Sequence, residues 1–168
     1  MQKIKTKTLT TLGLLIALEI VLNRFLSINA WNIKIGFSFV PVVVAAILYG
    51  PLAAGVVGAL SDFLGAILFP IGAYFPGFTL TAFLTGCVFG LFLHQKQSVP
   101  NTLFAVLINQ LVLSLLLNSY WISVLYGSPY GPLLVTRSFQ CAILLVVQFV
   151  CIQLISRTIS RVARRSAA

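Results

Sequence analysis

The sequence predicts an all-α integral membrane protein with a six-helix transmembrane bundle. Two features of composition carry that expectation: 60% of the 168 residues are apolar and only 8% are charged. The mean hydropathy of +1.06 agrees. Water cannot solvate that much apolar surface, so lipid must. The third observation is spacing. About twenty apolar residues cross a bilayer, and polar or Pro/Gly breaks cut the chain into six such stretches within one domain, residues 1–168.

The first stretch runs from about Thr8 to Ile28 and follows a basic start. It contains Glu19 and Arg24 and lacks a small-residue cleavage site, so it reads as a retained helix, not a signal peptide. After the polar patch "NAWNIKIG", the second stretch, "FSFVPVVVAAILY", stops at Gly50-Pro51, a tight-turn signal. The third, "LAAGVVGALSDFLGAILF", leads into an aromatic loop. The fourth extends from about Gly77 to Leu93 and ends in "HQKQ". The fifth, from about Thr102 to Leu125, breaks at "YGSPYGP", and the sixth, from about Leu133 to Ile155, exits into an arginine-rich tail.

Eleven Lys and Arg against two acids give a net charge of +9. Nucleic-acid binding is not needed to explain it. Lys3, Lys5, Lys7, Lys96, Arg157, Arg161, Arg164 and Arg165 sit at the chain ends or in one middle loop, as the positive-inside rule requires. Both termini are then cytoplasmic, with basic tails of about 1–7 and 156–168 lying against anionic lipid headgroups. Three loops face outward: 29–36, 70–76 and 126–132.

Glu19, Arg24, Asp62 and Arg137 each lie within an apolar segment, where charge is expensive. Arg24, Asp62 and Arg137 lie in the outer halves of apolar segments, and Lys34 is in the first outer loop. An intramembrane charge costs a few kcal/mol unless a partner or water meets it. One reading is a cavity for an anionic ligand, with Asp62 facing a hydrogen-bond donor edge. The other is snorkelling arginines and an Asp62–Arg pair that locks helices. Glu19, mid-segment, is either a packing residue or an interhelix contact. Trp31, Tyr74, Phe75, Phe78, Tyr120, Trp121, Tyr126 and Tyr130 gather at the outer boundary, whereas the inner one has mainly Tyr49 and Phe92. An interfacial belt would populate both sides, so stacking surfaces for a flat ligand fit better. Asn118 and Ser119 are positioned to add hydrogen bonds. Gly13 and Ala17 form a small-xxx-small pair suited to close helix approach, and Gly55, Gly58 and Ala59 suit internal packing.

Catalytic chemistry is missing from the pattern. The sequence has no phosphate-binding Walker motif, a single Asp, a lone His94 suited to a helix end, and no G-x-S-x-G. Cys87, Cys141 and Cys151 lie in apolar segments without metal-ligand spacing and read as small core residues. No cofactor or metal is expected, and the chain is not expected to be an enzyme.

The run from Val40 to Leu93, with "FPGFTLTAFLTG" inside it, resembles the substrate-binding (S) components of energy-coupling factor (ECF) vitamin transporters. Together with "LNSYWISVLYGSPY", it looks like the folate-specific branch. The resemblance covers roughly Leu12 to Gln148. It implies a prokaryotic plasma-membrane protein that captures folate from outside and docks on a transmembrane coupling subunit with two cytosolic ATPases, which alone use ATP. It also implies that Gly13 and Ala17 hold the docking position, with Gly in place of the family's first Ala, and that outer loops gate the ligand. The candidate binding set is Arg24, Trp31, Lys34, Asp62, Tyr74, Phe75, Phe78, Asn118, Tyr120, Trp121 and Arg137. Competing expectations are the same architecture for riboflavin, or a structural subunit without ligand.

Overall fold

The computed structural model describes residues 6–30 and 33–166, and the side chains of 6–27 and 36–159. The helical elements are α1 (Thr6–Arg24), α2 (Phe39–Tyr49), α3 (Pro51–Leu68), α4 (Pro76–Leu93), α5 (Val99–Leu107), α6 (Asn118–Tyr126) and α7 (Tyr130–Ser166). A π-helical stretch, Ile108–Leu117, joins α5 to α6 into one continuous rod, Val99–Tyr126. Among the described residues, five helical rods are long and apolar enough to cross a membrane, and α2 is a shorter apolar helix. With 11 residues, α2 is only about 16 Å long. It cannot cover a hydrocarbon core of about 30 Å by itself.

Local chemistry marks each break. Gly50 has φ +87°, which an L side chain rarely tolerates, and its N–H bonds the Ala46 carbonyl before Pro51 opens α3. Pro76 likewise occupies the first turn of α4, where its missing N–H is harmless. Gly127 closes α6 in the left-handed conformation. The first segment ends earlier than expected, at Arg24. Two short strands then pair antiparallel, β1 (Ile28–Ala30) and β2 (Ile33–Ile35), with Asn29 opposite Lys34. Pairing satisfies backbone groups that an open loop would leave unmet at membrane depth.

The bundle has a closed end and a cavity end. At the closed end His94 Nδ1 donates to the Ile47 carbonyl at 3.2 Å, and its ring lies over Gly50. The apolar core there draws Leu15 from α1, Val43 and Ala46 from α2, Phe89 and Leu93 from α4, Ala105 from α5 and Ile152 from α7. Leu12 and Ile159 pack on that cluster, so the first and last helices both emerge at the closed end. The α3–α4 seam is the tightest. A Cβ at Gly58 would fall 2.6 Å from the Ala82 carbonyl, one at Gly55 would meet Cys87 and Phe83, and those at Gly86 and Gly90 would strike the backbones of Ala54 and Pro51. Without a hydrophobic force between helices in lipid, such close backbone approach is what holds them. The outer surface is apolar, with Val135 and Phe139 each 73% exposed, as a lipid-facing wall requires.

Candidate ligand-binding site

At the cavity end the helices surround a cavity of about 700 Å³. That size is within the range of small-molecule sites. Its origin is the short α2, which starts only at Phe39 and leaves the upper part of its slot without a helix. Gly36, Ser38 and Phe39 line the space so created.

Seven of the eleven candidate binding residues meet around this cavity: Arg24, Asp62, Tyr74, Phe75, Phe78, Asn118 and Arg137. Arg24, the last residue of α1, extends across α3 at Gly65, where a Cβ would lie 3.0 Å from its Nε. That Nε is buried and has no protein partner. Arg137 is 7% exposed, and its Nη2 donates to the Ser114 carbonyl at 3.3 Å. Among the described residues the partner of Asp62 is a hydroxyl rather than an arginine: Thr79 Oγ1 donates to Oδ2 at 2.8 Å. With its proton committed there, Thr79 accepts from Tyr74 O–H at 3.2 Å. A relay thus runs from the loop 69–75 into the cavity wall.

The aromatic loop is tied down at several points. Phe69 meets Phe25 edge-on at 5.2 Å, Tyr74 meets Phe63 at 5.8 Å, and Phe75 meets Phe78 at 6.2 Å and Trp121 at 5.5 Å. The Tyr126 hydroxyl lies beside Gly72.

Two expected lining residues stand elsewhere. Trp121 is behind the wall, donating Nε1–H to Thr81 Oγ1 at 3.1 Å and covering Gly77. Tyr120 is half exposed and meets Trp121 edge-on at 5.2 Å. Helical rotation explains Tyr120: two positions after the inward Asn118, it is turned by about 200°. Trp31 lies outside the described residues. Lys34 is on β2, and its side chain also lies outside them. Gly13 and Ala17 sit on the exposed face of α1, with nothing within 4 Å of a Cβ placed at Gly13.

The cavity is far more polar than the charges alone announce. Glu19, Asn23, Asn109, Gln110, Gln140 and Gln148 also line it, each less than 9% exposed. Asn23 Nδ2 donates to Glu19 Oε1 at 3.1 Å. Apart from Asn118, the sequence pointed to these positions only through ionisable groups, although burying an unpaired amide is also costly. Asn or Gln inside "LINQLVL", "SFQCA" and "VVQFV" was the available signal.

Residues 7–156 match the family described as "ECF transporter, substrate-specific component". The chain belongs to that family. Among curated proteins, this S component is 43% identical to the folate transporter FolT of Clostridium novyi over 88% of its own length and 87% of the relative's. It is 34% identical to FolT of Leuconostoc mesenteroides over 76% and 70%. A crystal structure of FolT bound with folic acid superposes with a TM-score of 0.87 at 31% identity, covering 91% of this chain and 94% of that one. A second bacterial ECF S component shares the fold, with a TM-score of 0.71 at 24% identity over 95% and 99%.

Proposed function

We propose that this S component captures folate at the outer face of a prokaryotic plasma membrane and surrenders it to an ATP-driven importer. The observation that carries the reading is the cavity itself: one space lined by two arginines, the carboxyl groups of Glu19 and Asp62, buried amides and an aromatic loop. Folate has matching parts, a flat pterin, an aromatic linker and a glutamate tail with two carboxylates. Charge-assisted bonds from Arg24 and Arg137 suit the tail. The rings of Tyr74, Phe75 and Phe78 suit the planar portion. Asp62 suits a donor edge. The named folate transporters among its relatives support the same substrate.

In this reading the cavity opens outward beneath the loop 69–75 and the paired strands β1 and β2, which act as gates, and both termini are cytoplasmic. Gly13 and Ala17, on an open face of α1, form the contact for a transmembrane coupling subunit bound to two cytosolic ATPases. The chain itself binds and releases without catalysis, and its only partners besides these subunits are folate and lipid. Isothermal titration of the purified protein in detergent with folate, pteroate and riboflavin tests the substrate. Nanomolar folate, weaker pteroate and silent riboflavin are expected. Riboflavin binding with folate silent would move the site to that vitamin, and silence from all three would favour a structural subunit.

A further inference from the structure

The π-helical stretch Ile108–Leu117 changes which residues share a face of its rod. In an α-helix, residues 109 and 118 stand nine positions apart and therefore about 180° around the axis. In a π-helix, whose i→i+5 bonds take roughly 4.4 residues per turn, nine positions make about two full turns. Asn109, Gln110, Ser114 and Asn118 then fall into one stripe, and all four line the cavity.

Within that stripe Asn109 stands out. It is 4% exposed, and both Nδ2 and Oδ1 are buried without a protein partner. Gln110 Oε1 beside it and Gln148 Oε1 on α7 are likewise buried and unpartnered. Buried polar atoms are rarely left so in native proteins, and a donor and an acceptor idle on one planar group, inside a cavity, call for a ligand that supplies both. A neutral amide does not neutralise a charge. It does match, in plane, the adjacent donor and acceptor on the edge of an uncharged heterocycle.

We infer that Asn109, which the π-helical winding aligns with Gln110, Ser114 and Asn118, is a specificity-determining residue that reads the donor–acceptor edge of a neutral flat heterocycle, with Gln110 and Gln148 lining the same cavity. This rests on the folate reading above and divides the ligand in two: the amide stripe takes the ring, and the arginines take the tail.

The test uses Asn109→Leu, which keeps the approximate shape and removes both hydrogen-bonding atoms. The full-length wild type and variant are titrated in detergent with folate and with pteroate, which share the ring but not the tail. Folate and pteroate affinity should fall by the same factor, roughly 10- to 100-fold, while the melting temperature of the ligand-free protein holds or rises because an unmet amide pair is gone. Arg24→Ala, by contrast, should weaken folate alone. Asn109→Ala provides a second variant with the same expectation and no added bulk. Affinities within twofold of wild type, a loss confined to folate, or failure of both Asn109 variants to fold would each overturn the inference. A wild type that binds neither folate nor pteroate would overturn the folate reading and this inference with it, an outcome visible before any variant is measured.

Discussion

At the closed end of the bundle the helices meet through residues with no exposed surface, among them Val43, Ala46, Phe89, Leu93, Ala105 and Ile152. At the other end Asn23, Asn109, Gln110 and Gln140 are almost as deeply buried, yet they face a void. The same helices build both. The difference begins in α2, whose 11 residues fill the closed end and stop at Phe39, and in the π-helical winding that turns amides toward the space α2 leaves open. Lipid rewards close apolar packing and tolerates intramembrane polarity only around protein partners, water or a ligand. Stability therefore concentrates at one end and recognition at the other.

The largest expected effect breaks the closed half of this contrast. Gly86→Val would drive a side chain into the Ala54 backbone. It should cost about 3 kcal/mol of stability, read as a lower melting temperature by differential scanning fluorimetry in detergent. If the melting temperature stays put, the α3–α4 seam is not what holds this end together.

A cavity substitution should show the opposite signature. Arg24→Ala is expected to weaken folate binding by about 2 kcal/mol, roughly 30-fold, by removing charge-assisted bonds. Pteroate affinity and melting temperature should change little. Equal losses for folate and pteroate would withdraw Arg24 from the tail.

Thr79→Val sharpens the boundary between loop and cavity. It removes the hydroxyl that joins Tyr74 to Asp62, and about 1 kcal/mol should appear as a roughly fivefold faster folate release. Thr79→Ser should restore the wild-type rate. An unchanged release rate in the valine variant would separate the relay from gating.

The smallest effect on the isolated protein belongs to Gly13→Leu. With open space around that position, stability and folate affinity should shift by no more than about 0.5 kcal/mol. Co-purification with a coupling subunit is where this substitution should register, as a lost complex. Normal assembly would move the docking face away from Gly13 and Ala17.

Much of the scaffold was legible because it depends on short-range chemistry. Apolar run length set the helical rods, and Gly50-Pro51, Pro76 and Gly127 set their breaks, since positive φ and a missing N–H act within one or two residues. Gly55 and Gly58 likewise serve the internal packing expected of them. Arg24, Asp62 and Arg137 announced themselves by the cost of charge in an apolar run, and all three line one cavity. Trp121 and Tyr120 were harder to orient, because a cluster of aromatics near a boundary does not say which ring faces inward.

What the amino-acid order determined unaided is the solvent, the rods, their breaks and the presence of charges too costly to be idle. Tertiary structure decided the cavity. A short α2 leaves space only because the neighbouring helices enclose it. Asn109, Gln110, Ser114 and Asn118 share a face only because their rod abandons the 3.6-residue period for wider winding. Both are consequences of how whole helices fit against one another, and that fit is a non-local sum that no single stretch of sequence contains.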